Sequence, residues 1–321
     1  MSGYEFSLAD LRAAQDIVYE AMPPTPQYAW PLLRQRLGTE VWVKHENHTP
    51  TGAFKVRGGL VYTTRLRASE PGVSGILSAT RGNHGQSLAF AGTRLGLRVR
   101  IYVPQGNSVE KNAAMRGFGA ELVEHGSDFD AARLECMRAA AASGDRFVPS
   151  FHPDLVLGVA TYALEFLQHA PPLDVLYVPI GMGSGICGCI RVRDLLGLHT
   201  EIVGVQSSAA PCYYESLRQG RVVNLDSAHT RADGVATRMP DPAALAQIAK
   251  GVSRIVLVND DEVAAAIRAY HHDTHNLAEG AGAAPLAAAM QERDRLAGKR
   301  VGLVLCGGNI DQQWLKEWVW A

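Results

Sequence analysis

The sequence has no long apolar stretch, no excess of charge of either sign and no targeting signal at its start. No uninterrupted apolar run reaches the ~18 residues that a membrane-spanning helix needs. The N-terminus, MSGYE, lacks the basic segment followed by an apolar one that marks secretion. Its 31 basic and 32 acidic residues leave a formal net charge of -1, so no global field attracts nucleic acid or an anionic membrane. We therefore expect a cytoplasmic protein whose partner is a small molecule, with no nucleic-acid or membrane partner.

Cysteine is scarce, and the metal-binding patterns are weak. The five cysteines are an odd number and contain no Cys-x-x-Cys pair, which is typical of a reduced compartment. His271 and His275 have the i, i+4 spacing of a metal-binding helix. They lack the glutamate that follows the first histidine in the hydrolytic zinc motif. We predict no metal site.

The sequence instead has the composition of a large α/β protein. With 321 residues, 47% hydrophobic and 20% charged, the chain can bury a core large enough for two lobes. Short β-branched apolar runs alternate with alanine-rich amphipathic segments, which indicates parallel strands joined by helices. The predicted strands are 41–44, 75–79, 98–103, 121–124, 175–179, 202–206, 254–259 and 301–306. The predicted helices are 84–95, 109–118, 128–142, 155–169 and 262–272, the last of them capped by the Asp260-Asp261 pair.

The first motif, TPTGAFKVRG at residues 49–58, follows the first predicted strand. Proline and glycine bend the chain, and Lys55 then stands at the head of a helix, after an aromatic residue. A lysine whose amine attacks a carbonyl must be partly desolvated, so that its neutral form is accessible at neutral pH. An exposed lysine on a first helical turn is the ordinary alternative for this motif alone.

The second motif, SATRGNHGQ at residues 78–86, is a strand end, a glycine-bearing turn and a helix start. Backbone N–H groups at such a start bind an anion, for which a substrate carboxylate is suited, and the Asn83 amide can hydrogen-bond a ring oxygen. The alternative is an ordinary helix start with Asn83 as its cap.

The third motif, VPIGMGSGICG at residues 178–188, is a strand followed by a glycine-rich turn and a helix. Glycines allow close approach of the backbone to an oxyanion, so this turn is a candidate phosphate site. Gly183, Gly185 and Gly188 also have the spacing of a dinucleotide fingerprint, which leaves a nucleotide-dependent oxidoreductase open. However, the next predicted strand ends near Gln206, where that fingerprint needs an acidic residue.

The fourth motif, LCGGN at residues 305–309, ends the last predicted strand and places a small thiol beside two glycines. A buried structural thiol at a glycine turn is an equal alternative for this motif alone. In order and spacing, the four motifs together resemble fold-type II pyridoxal-phosphate enzymes, specifically the serine/threonine dehydratase and serine racemase group. The resemblance covers residues 23–308, and the lysine motif matches the family with one change, alanine for serine at Ala53.

The resemblance implies a fold and a set of cofactor contacts. The fold is α/β with two lobes, each an open, mostly parallel sheet flanked by helices, as in the tryptophan synthase β subunit. Residues 1–50 and 148–321 would form the large domain, and 51–147 the small domain. Lys55 would bind pyridoxal 5'-phosphate covalently and later move the substrate Cα proton, Phe54 would lie against the ring, and Asn83 would bond its 3-hydroxyl.

Further family positions match the remaining segments. Gly181, Met182, Gly183, Ser184 and Gly185 would bind the phosphate, although the family usually has glycine where Met182 and Ser184 stand. Cys306 takes the position near the pyridine nitrogen, and Gly234 in ADG and Glu279 in AEGAG match the remaining cofactor-side segments. Thr80, Arg81, Gly82 and His84 would contact the substrate.

The predicted activity is β-elimination from a β-hydroxy amino acid, most directly threonine or serine, to give a 2-oxo acid and ammonia. A neutral thiol at the ring nitrogen discourages a long-lived carbanion and favours prompt loss of a β-leaving group. The alternatives are 3-hydroxyaspartate or phenylserine as substrate, or racemisation or β-replacement on the same fold. A homodimer follows from family habit.

Two differences from relatives of this group give further expectations. The stretch matching the cation site of serine racemase, VQSSAAPC at residues 205–212, has no carboxylate, and neutral ligands bind magnesium or calcium weakly. The chain ends at Ala321, soon after the fourth motif, so we expect no regulatory module of the biosynthetic threonine deaminases and no isoleucine control.

Overall fold

A computed structural model describes residues 5–321 of the chain. The strands are β1 Gln27–Ala29, β2 Glu40–His45, β3 Gly75–Ala79, β4 Arg98–Val103, β5 Glu121–Glu124, β6 Arg146–Phe147, β7 Val175–Pro179, β8 Glu201–Ser207, β9 Arg254–Val258 and β10 Arg300–Leu305. The helices are α1 Leu8–Tyr19, α2 Pro31–Leu37, α3 Lys55–Ser69, α4 Asn83–Arg94, α5 Val109–Gly117, α6 Phe129–Ser143, α7 Pro153–His169, α8 Ser184–Leu195, α9 Cys212–Gln219, α10 Pro242–Gly251, α11 Asp260–Thr274, α12 Gly280–Gln291 and α13 Gln312–Trp314.

The strands form two sheets. A six-stranded sheet has the order β1-β2-β10-β7-β8-β9, in which only the β1 pairing is antiparallel. A four-stranded sheet has the order β5-β4-β3-β6 and is parallel throughout. Helices pack on the sheets, as βαβ crossovers require. The predicted α/β class with mostly parallel sheets is confirmed.

All eight predicted strands occur, within one or two residues of their predicted ends. Two further strands, β1 and β6, were not predicted; they have three and two residues and lie at sheet edges. Strands this short contain no apolar run from which they could be recognised. The five predicted helices are also present, with ends shifted by at most two residues.

Two helix starts differ from the simplest expectation. The cap of α11 is Asn259, whose side chain accepts from the backbone of Glu262, so the predicted cap at Asp260-Asp261 is wrong. Asp260 instead accepts hydrogen bonds from Thr230 Oγ1 and the backbone of Arg231. The N-cap of α4 is Gly82, so Asn83 does not cap this helix and its side-chain amide can make other hydrogen bonds.

The two sheets have separate hydrophobic clusters. The largest cluster surrounds the six-stranded sheet, and its central strand β10 is almost fully buried. Two smaller clusters cover the faces of the four-stranded sheet. We propose that the two sheets mark the two domains, with the chain crossing near residues 50 and 148. Within residues 5–321, no helix is long and apolar enough to cross a membrane.

Parallel strands explain why the four sequence motifs meet. The lysine motif follows β2, the Asn83 motif follows β3, the glycine motif follows β7 and the Cys306 motif follows β10. Ligands of open α/β sheets bind outside the carboxyl ends of their strands, where connections diverge. The fold therefore carries all four motifs to strand ends of the kind that form binding crevices.

Candidate active site

Lys55 is the first residue of α3. The loop that precedes it is hydrogen-bonded to the end of β10. The backbone N–H of Phe54 donates to the Cys306 carbonyl at 2.9 Å, and Ala53 forms an isolated bridge with Gly307. The Lys55 amine is 3.5 Å from Ser184 Oγ. Burial lowers the pKa of Lys55, an effect partly opposed by Cys306 and Glu279. A desolvated amine is what an attacking lysine requires.

The glycine motif forms a compact turn at the start of α8. Gly183 is the N-cap with φ of 100°, a conformation that side chains rarely adopt. A Cβ on Gly181 would lie 2.3 Å from the Gly234 carbonyl oxygen, so these two backbones touch. The first N–H groups of a helix have no partner within it, and the helix dipole adds positive charge there. This turn can bind a phosphate group.

Two tyrosines hold the glycine turn from outside. Tyr213 donates to the Met182 carbonyl at 2.9 Å and accepts from the Asp241 backbone at 3.0 Å. Tyr162 donates to the Gly185 carbonyl at 3.3 Å and lies edge-on to the Phe54 ring. Neither tyrosine was singled out from the sequence, because each lies on a different element, far along the chain from the turn that it contacts.

The Asn83 motif presents a mixture of buried and exposed groups. Thr80 is buried and its hydroxyl accepts from the Gly82 backbone at 3.1 Å. Arg81 is exposed; its carbonyl accepts from Asn107, and its side chain has no partner within residues 5–321. Asn83 Nδ2 donates to both carboxylate oxygens of Glu279, at 2.8 and 3.0 Å.

His84 is a neutral, buried imidazole with an open nitrogen. Burial, and to a lesser degree Lys55, lower its pKa to about 3. One ring nitrogen bonds the Pro149 carbonyl, while Nε2 has no protein partner. A buried polar atom without a partner is costly unless a ligand or water satisfies it.

Glu279 and Cys306 both interact electrostatically with Lys55. The Glu279 backbone donates to the Gly307 carbonyl at 3.1 Å, and a Cβ on Gly307 would lie 2.6 Å from Glu279 Oε1. Burial, together with Asp233, raises the pKa of Glu279 to about 7. Burial also raises the pKa of the Cys306 thiol well above its ordinary value, so this thiol is neutral.

The structure adds residues that the motifs did not reveal. Asn309 Nδ2 donates to Asn83 Oδ1 at 2.8 Å, although only Cys306 was selected from its motif. Lys111, on α5, forms an ion pair with Asp233, and a Cβ on Gly82 would contact its side chain. The pair joins residues 122 positions apart, so local sequence carries no sign of it.

Behind the lysine lies a buried network of charges. Arg57 donates to Glu46 at 2.7 Å and to Glu165 at 2.6 Å. Lys44 completes the set at 2.6 Å from Glu165. All four side chains are at most 2% exposed, and their charges cancel. The network holds α3 to β2 and α7, and so fixes the helix that begins at Lys55.

The histidines between residues 271 and 275 make structural contacts. His272 lies 2.7 Å from Asp273, and the His271 ring packs edge-on against Trp320. His275 ends α11 in a left-handed conformation. Within residues 5–321, no three His, Cys, Asp or Glu side chains are grouped so that they could hold a metal ion.

The arrangement fits pyridoxal phosphate. The Lys55 amine lies 3.5 Å from Ser184 at the start of α8, and it interacts electrostatically with Cys306 and with His84. These groups have the chemistry that a covalent link, a phosphate site, a free polar group and an uncharged partner for a ring nitrogen would require. Binding of a dinucleotide, the alternative left open by the sequence, would not require a buried lysine amine.

Comparisons with known proteins agree with this geometry. The family model for pyridoxal-phosphate dependent enzymes matches residues 18–307. The chain is similar to L-threonine ammonia-lyase of Geobacter sulfurreducens, at 39% identity over 86% of this chain and 69% of the relative. It is similar to L-threo-3-hydroxyaspartate ammonia-lyase of Saccharomyces cerevisiae, at 29% identity over 95% of this chain and 93% of the relative. It spans about three fifths of the biosynthetic threonine dehydratases that it also matches.

A solved structure extends the similarity to three dimensions. The crystal structure of a pyridoxal 5'-phosphate-dependent aspartate racemase superposes with a TM-score of 0.92 at 27% identity, covering 99% of both chains. The family resemblance inferred from the four motifs is confirmed, and the dinucleotide alternative has no support. The chain belongs to the pyridoxal-phosphate dependent enzymes.

Proposed function

We propose that this enzyme is an ammonia-lyase of the dehydratase type. It converts a β-hydroxy amino acid, threonine or serine first, into a 2-oxo acid and ammonia. The observation that carries the proposal is the desolvated Lys55 amine, 3.5 Å from Ser184 Oγ, in a site that also holds the neutral Cys306 thiol. The similarity to threonine ammonia-lyases supports the same reaction.

Lys55 has two tasks in this proposal. It would hold the cofactor covalently, and its amine, when free, would take the proton from the substrate Cα. The cofactor supplies the electron sink that makes this proton removable. Because the lysine pKa is lowered by burial, the neutral amine is accessible at neutral pH.

Cys306 directs the outcome toward elimination. Its thiol would face the pyridine nitrogen, where a carboxylate would stabilise a ring proton and a long-lived carbanion. Since burial keeps this thiol neutral, that stabilisation is absent. With the cofactor bound, the β-hydroxyl group would leave as water, and the family resemblance implies that the cofactor phosphate would supply its proton. Glu279, which interacts electrostatically with Cys306, accepts a hydrogen bond from Asn83.

The two helix starts hold the two anionic groups. The turn Gly181 to Gly185 binds the phosphate through backbone N–H groups, with Gly234 packed against it. The start of α4 binds the substrate α-carboxylate through backbone N–H groups and the Thr80 hydroxyl. Phe54 would lie beside the ring, and Asn83 would donate to its 3-oxygen.

A substrate panel tests the proposal. The purified holoenzyme is assayed for 2-oxo acid and ammonia with L-threonine, L-serine, L-threo-3-hydroxyaspartate and phenylserine. We expect equal molar yields of both products from threonine or serine. A substrate consumed without release of ammonia would contradict an ammonia-lyase.

A second candidate substrate is L-threo-3-hydroxyaspartate. The Arg81 cation, on the substrate loop, is exposed and has no acidic partner within residues 5–321, so it is available to a second carboxylate. The yeast relative, which this chain matches almost from end to end, has that name. If Arg81 serves this role, Arg81→Gln raises KM for hydroxyaspartate and leaves KM for threonine unchanged.

We also propose a cytoplasmic homodimer that needs no divalent cation. The dimer and the location rest on the family resemblance and on the reduced cysteines, which are all unpaired within residues 5–321. Light scattering of the purified enzyme gives the oligomeric state. Activity that is lost on chelation and restored by magnesium would contradict the cation-free site.

A further inference from the structure

A series of hydrogen-bonded amide groups connects the lysine loop to the Asn83 motif. Asn309 Nδ2 donates to the Thr51 carbonyl and to Asn83 Oδ1, both at 2.8 Å. Asn83 Nδ2 donates in turn to Glu279, and the Asn309 backbone N–H also bonds Glu279. Four separate segments of the chain therefore meet at two asparagine side chains.

The two ends of this series fix the direction of every hydrogen bond in it. The Thr51 carbonyl can only accept, and Glu279 keeps an acceptor oxygen whether or not it carries a proton. Asn309 must therefore turn its Nδ2 toward Thr51, and the same nitrogen supplies Asn83 Oδ1. Asn83 is left with its Nδ2 toward Glu279 and with a second hydrogen on that nitrogen.

Gly52 provides the space for Asn309. A Cβ at Gly52 would lie 2.4 Å from Asn309 Oδ1, and Gly52 has φ of 68°. A side chain at this position would be strained and would push the amide away. The glycine of the lysine motif is thus coupled to an asparagine 257 positions later.

We infer that Asn309 is a positioning residue that orients the Asn83 amide so that it offers a donor to the cofactor ring. The inference rests on the proposed placement of the ring beside Asn83. A donor there keeps the ring oxygen as an acceptor. Without Asn309, Glu279 is the side chain that still holds the Asn83 amide. Whenever Glu279 carries a proton it can donate to Asn83 Oδ1, so the amide can turn over and present its oxygen to the ring, where two acceptors would repel each other.

Two substitutions of Asn309 separate positioning from packing. Asn309→Ala removes the donor at every pH and should weaken cofactor binding about tenfold, the usual effect of losing a buried hydrogen bond. Asn309→Asp instead places a carboxyl group between two acceptors. While it holds a proton it can donate to one of them, so the loss should grow as the pH rises and that proton leaves.

The readouts are the dissociation constant of the cofactor and its visible absorption spectrum, both measured across a pH series. Lys55, Lys111, Asp233 and Cys306 interact electrostatically with Glu279, which bonds the amide pair, so the wild type and Asn309→Ala are measured at each pH as references. We expect Asn309→Asp to diverge from both with rising pH and its absorption band to shift in parallel.

Asn276→Asp is the matched control. Asn276 is also buried and donates Nδ2 to the Thr274 carbonyl at 2.9 Å. Its Oδ1 lies 3.1 Å from Asn47 Nδ2 and 2.7 Å from His48 Nε2, and the side chain has no hydrogen bond to Asn83. The Asn276→Asp substitution should lower the unfolding temperature and leave the pH dependence of cofactor binding unchanged. Cofactor affinity and spectrum equal to wild type in Asn309→Ala, or the same pH profile in both Asn309 variants, would overturn the inference.

The Asn83→Ala variant separates the positioning role of Asn309 from the proposed placement of the cofactor ring. If Asn83→Ala weakens cofactor binding and the Asn309 variants do not, only the positioning role fails. If Asn83→Ala binds the cofactor as tightly as wild type, the ring does not lie beside Asn83, and the proposed placement fails with it.

Discussion

Arg81 is the residue whose charge bears most directly on the reaction that this site can perform. Racemisation needs a group on the cofactor face opposite Lys55 that can both give and take a proton, and the family resemblance would place Arg81 there. A guanidinium stays protonated throughout the physiological range. Here Arg81 lies exposed on the substrate loop, so the enzyme should eliminate without efficient racemisation.

This prediction is measured with one enantiomer of serine in deuterated water. Chiral chromatography follows both enantiomers while 2-oxo acid is assayed in parallel. We expect the opposite enantiomer to form far more slowly than 2-oxo acid, and Arg81→Ser to raise its share. Formation of both at comparable rates in the wild type would show that another group exchanges the second proton.

At the scale of single residues, the sequence indicates what is local and misses what is distant. Lys55, Asn83 and Cys306 each stand in a short motif whose neighbours indicate a turn or a strand end. Asn309 stands in such a motif too, but its partners Thr51 and Asn83 are 258 and 226 positions away. Only the fold shows that these amides meet.

At the scale of elements, helix α3 depends on charges that it buries. Arg57→Ala would leave the carboxylates of Glu46 and Glu165 buried without their shared partner. Breaking such a network costs about 3–5 kcal/mol. Arg65, on the same helix, pairs with Asp154 at a more exposed position, 41% and 24% for the two side chains. Its removal should cost less than about 1 kcal/mol.

Denaturant unfolding of both variants tests this difference. We expect Arg57→Ala to lose several times more free energy of unfolding than Arg65→Ala and to bind the cofactor more weakly, because Lys55 begins the same helix. Equal losses in the two variants would mean that the buried network does not hold α3 in place.

The elements themselves were largely predictable, and the exceptions have physical reasons. Buried parallel strands such as β7 and β10 are apolar throughout, so their runs stand out in the sequence. The edge strands β1 and β6 have mixed burial and no such run. The cap of α11 moved to Asn259 because a reciprocal pair with Glu262 satisfies two N–H groups at once.

At the scale of the whole molecule, the buried His45 contributes to the response to acid. Burial, and to a lesser degree His48, lower the pKa of His45 to about 3, and His45 Nε2 accepts from Trp30 at 3.0 Å. The unfolded chain takes up a proton below its ordinary pKa of 6.5, whereas the folded chain does not until about 3. The stability that His45 contributes is therefore complete above pH 6.5 and is lost as the pH falls.

His45→Gln tests this response, because glutamine keeps an acceptor for Trp30 but does not titrate. By about pH 4 the wild type should have lost roughly 3 kcal/mol more than the variant, relative to neutral pH. The measurement is the free energy of unfolding of both proteins in denaturant across that range. Parallel curves would show that His45 takes up its proton as readily in the folded protein as in the unfolded chain.

The central claim for the whole molecule is that four strand ends converge to place a covalent cofactor on Lys55. Borohydride reduction of the holoenzyme, followed by digestion and mass spectrometry, tests it directly. The account predicts that the cofactor is trapped on the peptide containing Lys55, that activity is lost in step with trapping, and that Lys55→Ala traps none while remaining folded. A cofactor trapped on another lysine, or sustained turnover by Lys55→Ala, would contradict it.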